Sequence, residues 1–424
     1  MTAKMRIWMD NILGTLFIFG FMALIYGVST FNIFGAFDPV GEALADMELS
    51  DIVFSQLRED PEVDTNVVVV NIGRLPRSLI GKQIEIISKY NPKVMGMDSF
   101  FGLPHEDEPE GDSILSHAIA QAKNMVMVTK LLQSDSLYNV AEGEDVYDSL
   151  EHTYPDFRIN AMEAFANLAT DAVQQEDFKA CRAFPPSRQV GKKEEYAFAV
   201  KMAMVFDSTK TRRFLERNNA WETINYQGNI VDFFGRTNYP NSFYALDWDQ
   251  VLNEEFAPEM IKDKIVIFGF LGENFLDTSW DDKFFTPLNK QYAGKANPDM
   301  YGVVVHANIT SMIMKEEYID DTSDLQALLL AIVICFLNVA LFSLIYKKLP
   351  RWYDGLTKLV QVLELMLLTF LMIMFFYWFN FKLNLTYTMA AVALAGDSLE
   401  VYYGVIKNLF RRESRKQLFT IQRD

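Results

Sequence analysis

The residues able to do chemistry fall into two groups. In the middle of the chain, Asp98 closes KVMGMD, Asp277 follows KIVIFGFLGENFL with Asp281 and Asp282 behind it, and His306 and Asn308 stand in YGVVVHAN. Carboxylates that follow buried strands can meet a polar ligand at a sheet edge, and a histidine or asparagine where a loop meets a helix can do the same. Structural duties compete for each of them. Asp98 and Asp277 suit turns and caps, while His306 and Asn308 can cap a helix and satisfy buried backbone groups. Towards the C-terminus, Glu364 and Asp397 lie inside apolar runs, where an ionised group costs about 2.5 to 3.5 kcal/mol and needs a partner or a proton. Counted at about 1.5 Å per residue from Lys358 and Lys407, they lie roughly 9 Å and roughly 15 Å from the cytoplasmic side. They can share a proton, meet a basic residue of another subunit, or snorkel towards nearby lysines, as Glu400 does most readily. Ala391, Ala395 and Gly396 give the last run a small-residue face suited to a close helix partner, inside this chain or beyond it.

Other chemistries lack their signatures. There is no G-x-S-x-G, no Walker loop, no H-E-x-x-H and no cysteine pair at zinc spacing, so neither an enzyme nor a bound cofactor is expected. The spacing of Asp277, Asp281 and Asp282 fits no cation loop, and HEDEPEGD (residues 105–112) reads as a solvated loop, so no metal is expected either. Cys181 lies in the soluble part and Cys335 inside an apolar run, which rules out a disulfide between them.

The apolar runs set the frame. Asn11 to Phe31 is long enough to span a bilayer and follows Lys4 and Arg6, which marks residues 1–10 as cytoplasmic and the run as an uncleaved anchor. Three more runs, residues 325–346, 359–379 and 385–406, close the chain. The connection 347–358 carries Lys347, Lys348, Arg351 and Lys358, and the tail 407–424 carries Lys407, Arg411, Arg412, Arg415 and Lys416, so both are expected inside. Trp352, Tyr353, Tyr377, Trp378, Tyr402 and Tyr403 fall where interface aromatics belong. A multi-pass protein of a bacterial inner (plasma) membrane follows, with both ends cytoplasmic and residues 32–324 on the periplasmic side.

The formal net charge is -17. Residues 32–324 hold roughly 26 Lys and Arg against roughly 49 Asp and Glu, which argues against nucleic acid as a partner and against binding of this part to anionic lipid. Within it, VVVVNIG, KVMGMDSFF, MVMVTKLL and KIVIFGFLG read as strands covered on both faces. Helical spacing lies between them at 77–90 and 112–124, and again at 195–207 and 301–314. This alternation predicts an α/β domain of three layers with a mainly parallel sheet. TINYQGNIVDF offers two short strands around a Gln-Gly turn, Asp38 to Pro61 reads as a stalk, and residues 133–191 read as a surface insertion.

In order, VVVVNI, KVMGMDSFF with Asp98, and GDSILSHAIAQAKN with Asp112 resemble the type-two CHASE domain, an extracytoplasmic sensory domain of bacterial signalling proteins. EYAFAVKMA, INYQG, KIVIFGFLGENFLD with Gly269, Gly272 and Asp277, then TPL (Thr286, Pro287, Leu288) and YGVVVHAN with Gly302, His306, Ala307 and Asn308 continue the likeness to about Tyr318. One helix before the sensor and about three after it is also the layout of that family. The resemblance implies a sensor that binds a small molecule or protein. Family members usually continue into a cytoplasmic catalytic domain, whereas this sequence stops at Asp424 within a basic tail. The expectation is therefore a sensory or recognition protein that signals to a separate protein partner in the membrane, cytoplasm or periplasm. The alternative is a structural subunit of a membrane complex that uses the domain for docking. An ion path through Glu364 and Asp397 would need more polar spans than the chain supplies.

Overall fold

A run of four valines with no polar interruption forms a strand only where both faces are covered, and Val67, Val68, Val69 and Val70 are all fully buried. The computed structural model describes residues 3–29, 49–59, 61–133, 147–168, 180–230, 242–289 and 297–407. The chain divides into two compact units, Asp46–Ile319 and Met1–Ala45 with Asp320–Asp424.

The first unit is built on β1 (Asp64–Asn71), β2 (Val94–Asp98), β3 (Met125–Leu132), β4 (Ser149–His152), β5 (Met162–Phe165), β10 (Phe243–Leu246) and β11 (Ile265–Gly269). Their order is β10-β1-β11-β2-β3-β4, with β5 also on β3, and every pairing is parallel except β3 with β4. The expected three-layer α/β domain with a mainly parallel sheet is therefore present. One face packs on α3 (Arg77–Lys89) and α4 (Pro109–Gln121), where Ile84, Ile87, Leu115 and Ile119 meet Val68, Val70, Met97 and Phe268. The opposite face packs on α5 (Phe198–Phe206) and α8 (Gly302–Lys315). Gly96 and Gly269 make that second layer close. A Cβ on Gly96 would lie 2.3 Å from Met202 Sδ and one on Gly269 2.6 Å from Val303, so both positions need glycine for lack of space.

Shorter elements complete the unit. The pairs β6 (Ala183–Phe184) with β9 (Glu222–Thr223), β7 (Ser187–Val190) with β8 (Lys193–Tyr196), and β12 (Lys283–Phe284) with β13 (Met300–Tyr301) are antiparallel. Helices α6 (Ser208–Leu215) and α7 (Trp248–Leu252) are capped by Asp207 and Asp247. The segment α2 (Leu49–Ile52) continues as a π turn over Val53–Leu57. It is fixed by Asp51, which pairs with Arg182 at 2.7 Å, and by Arg58, which donates to the Tyr226 carbonyl at 2.9 Å.

Two sequence expectations are corrected. Part of the stretch read as a surface insertion belongs to the sheet, since β4 and β5 share the outer edge of β3 and Phe157 and Phe165 are buried. These strands are short and carry mixed polarity, so no continuous apolar run announces them. INYQG forms no strand of its own, because its backbone bonds singly to scattered partners: Ile224 N–H to the Arg182 carbonyl at 2.8 Å, the Tyr226 carbonyl to Arg58, and the Gln227–Gly228 turn to the Asn308 side chain. Residues 134–146 and 169–179 lie outside the described part, as does half of the expected stalk, 38–48 and 60.

Among the described residues, four helices are long and apolar enough to cross a membrane, and the second unit holds them all, one N-terminal and three C-terminal. They are α1 (Ala3–Ser29), α9 (Asp324–Lys348), α10 (Tyr353–Phe379) and α11 (Thr386–Val401), the last continued by a π turn to Ile406. Helix α10 begins earlier than expected, so residues 353–358 of the presumed loop are helical. Ile18 of α1 packs with Cys335, Val339 and Phe342 of α9 and with Ala391, Ala395 and Leu399 of α11. Ahead of α9, β14 (Asp320–Asp321) runs parallel to β15 (Phe381–Lys382), the turn between α10 and α11. Thr322 N–H donates to the Lys382 carbonyl at 3.0 Å and Asp320 N–H to that of Asn380 at 3.2 Å. At the other end of the bundle, Lys407 is paired with Asp10.

Candidate functional site

Parallel strands deliver all their carboxyl ends to one edge, and here Asn71, Gly269 and Asp98 stand side by side in register. Asn71 organises that edge. Its side chain donates to Asp247 Oδ1 at 2.8 Å and to the Gly272 carbonyl at 3.1 Å, and it accepts from Gly73 N–H and Leu271 N–H, both at 2.9 Å. Asp247 in turn caps α7 in a capping box and accepts from Phe275 N–H at 2.9 Å. The loop above β2 is held by Arg77, which pairs with Asp112 at 2.6 Å, while Asp112 also accepts from His105 N–H.

Asp277 is committed to its own loop. Its carboxylate accepts from Glu273 N–H at 2.7 Å and Ser279 N–H at 2.8 Å. Although burial acts to raise it, these bonds hold the Asp277 carboxyl below the usual range. Gly272 beside it has φ +92°, and a Cβ there would lie 2.6 Å from Asp277 Cβ and 2.9 Å from the Tyr301 hydroxyl. Burial, then the charges of Asp277, Asp281 and Asp282, push the Tyr301 phenol well above its ordinary value.

Asp98 differs from Asp277. It accepts no hydrogen bond from any described residue, and burial alone pushes its carboxyl up to about 7. Partial loss of water, followed by the like charge of Asp98, takes Asp282 to about 7 as well. Asp282 also accepts Gly302 N–H at 3.0 Å through its carbonyl, which sets it over the start of α8. The edge thus presents two neighbouring carboxyl groups that hold protons readily, an arrangement receptive to a cationic or hydrogen-bond-donating group.

A pH dependence follows. Between the ordinary aspartate value of 3.8 and about 7, folded Asp98 retains a proton that the unfolded chain releases, so stability falls as pH rises through this window. Asp98→Asn is expected to match the parent near pH 4 and to exceed it by on the order of 2 kcal/mol at pH 8. Tryptophan-fluorescence melts of the detergent-solubilised protein measure this, and identical curves at pH 8 contradict it.

His306 and Asn308 stand away from the edge, within α8 rather than at its start, so neither caps it. The helix begins at Gly302, and no side chain caps it. The His306 ring is buried edge-on against Phe198 at 5.2 Å and bonds the Ala166 carbonyl, while Nδ1 has no partner, which assigns the donor to Nε2. Burial pushes it down to about 4, so it is neutral. Asn308 is fully buried and spends its amide on the Gln227–Gly228 turn, accepting from Gln227 N–H at 2.8 Å and donating to the Gly228 carbonyl at 3.0 Å and to that of Val304 at 2.9 Å. This bond joins INYQG to HAN.

In the membrane unit the two acidic residues take different partners. Lys358 Nζ lies 2.7 Å and 2.6 Å from the Asp397 oxygens, while Glu364 meets Asn338 of α9. They do not share a proton. Ala391 and Ala395 are fully buried against α1 and α9, and Gly396 receives α10, its carbonyl accepting from the Tyr353 hydroxyl at 2.9 Å. Gln361 adds bonds to the carbonyls of Val392 at 2.7 Å and Ala393 at 2.9 Å. The small-residue face is thus filled from within the chain. Tyr353, Tyr402 and Tyr403 also turn into the bundle instead of forming an aromatic belt, whereas Trp352 and Trp378 remain exposed.

Sequence reasoning missed Asn71, Asp247 and Tyr301. Asn71 had a usable signal, since like Asp98 it is a polar residue closing a covered strand. Among the described residues, no group of His, Cys, Asp and Glu side chains converges as a metal site would. No match was found among curated proteins or solved structures. A family model described as the CHASE2 domain matches residues 30–342, and it covers the strings that build the edge and those joined by Asn308. The chain therefore belongs to the CHASE2 domain family, a family of sensory extracellular domains.

Proposed function

We propose that this chain is a recognition protein of a bacterial plasma membrane, with Asp46–Ile319 on the periplasmic side. It binds a ligand or protein at the edge carrying Asp98 and passes its state to a separate partner. Helix α8 carries this reading. Every residue from Gly302 to Met314 is buried, its first residue touches Asp282, and its chain leads through Ile319 into β14 and α9. A fully packed helix moves as a body, so a change at the edge reaches the chain leaving the domain. Of the four residues singled out at the sequence level, Asp98 is the one whose carboxyl remains open at the edge. His306 and Asn308 instead support α8.

Orientation rests on Lys347, Lys348, Arg351 and Lys407, which favour the cytoplasmic side. In intact cells, Lys192→Cys in the β7–β8 turn is expected to react with a membrane-impermeant maleimide, and Arg351→Cys only after permeabilisation. The reverse pattern defeats the proposal. Function separates recognition from mere assembly: Asp98→Asn should change the response of a co-purifying partner while the complex stays intact. If the complex instead survives with its response unaltered, the role is that of a structural subunit.

A further inference from the structure

Away from the acidic edge, β4, β5, β8 and the first turn of α5 line a half-open cavity of about 310 Å³. Its apolar wall is Leu150 and Met162, and its charges come from both signs. The acidic charges are already engaged. Glu163 accepts from Arg158 at 2.8 Å and is bonded to His152 at 2.8 Å, Glu195 pairs with Lys193 at 2.6 Å, and Glu194 accepts from Ser187 at 2.7 Å. The side chain of Lys201, half-buried at the cavity wall, has no hydrogen bond or ion pair among the described residues. Glu194 is bonded by the Ser187 and Tyr196 hydroxyls rather than by a cation, so Lys201 is the one charged side chain of the cavity left without any partner among the described residues.

The local backbone adds to it. Lys201 lies near the start of α5, whose N-terminal residue Ala197 gives no side-chain cap, so the positive end of the helix and the ammonium act together. A cavity of this size accommodates a small organic molecule, and its apolar wall favours a carbon skeleton over a bare ion. We propose that this cavity is a second binding site, which takes a small carboxylate with a short apolar body and holds its charge on Lys201.

The test uses the full chain in detergent with succinate as the probe. Succinate at millimolar concentration is expected to slow modification of Lys201 by an amine-reactive reagent several-fold, read by mass spectrometry, with exposed Lys192 unaffected. It should also raise the melting temperature, and Lys201→Gln should abolish this rise while Lys201→Arg keeps it. Footprinting of the unmodified protein decides the matter even where a variant fails to fold. Unchanged Lys201 reactivity, or a succinate effect undiminished in Lys201→Gln, overturns the proposal. Asp98→Asn should bind succinate like the parent, so this site and the reading of the acidic edge stand or fall separately.

Discussion

Asn71→Ala is expected to destabilise the domain by on the order of 4 kcal/mol. The side chain is fully buried and makes four hydrogen bonds, so alanine orphans Gly73 N–H, Leu271 N–H and the Gly272 carbonyl together and removes a donor from Asp247. Each buried group left unmade costs about 1 to 3 kcal/mol, with partial relief from water entering at the edge. Asn71→Asp should not rescue, because it loses the amide donor and sets a second carboxylate against Asp247. Denaturant unfolding measures the loss, and hydrogen exchange should show residues 270–279 opening first. A variant as stable as the parent would remove Asn71 from its central place at the edge.

Asp51→Ala is expected to cost about 3 to 5 kcal/mol, the usual effect of removing one partner of a buried ion pair. Asp51 is fully buried, and Arg182 meets it in fork geometry, Nη2 at 2.7 Å and Nε at 3.2 Å. The pair joins the segment ahead of β1 to the residues that lead into β6. Combining Asp51→Leu with Arg182→Met should recover much of the loss, since two apolar side chains then replace the ion pair. A double-mutant cycle reads the coupling, and additive losses in it would mean the ions do not stabilise each other.

The main architecture is legible because its evidence is local. Four consecutive valines, KVMGMD and KIVIFG each specify a covered strand without reference to the rest of the chain, and apolar length marks which runs are long enough to cross a membrane. What stays hidden depends on distant pairing. Nothing within Ile265–Gly269 says that it lies between β1 and β2, and SLEH and MEAF carry no periodic signal although they extend the sheet. His306 was placed at a loop because Gly302 looks like a turn residue, yet with Asp282 accepting its N–H it opens the helix. The partner of Asp397 was hidden for a similar reason. Lys358 reads as loop until α10 is seen to begin at Tyr353. The candidate edge was half legible: Asp98 and Asp277 end recognisable strings, but only their bonding separates the free carboxyl from the committed one.

The two-residue ladder between β14 and β15 has a mechanical corollary. Sliding α9 along its axis by a single residue, about 1.5 Å, would carry Asp320 and Thr322 off the carbonyls of Asn380 and Lys382. A stroke of α9 along its axis is therefore resisted at the end that carries β14, whereas tilting or turning about that hinge is permitted. Motion of α9 should spread the opposite helix ends, near Lys358 and Asp397, like scissors rather than drive them like a piston.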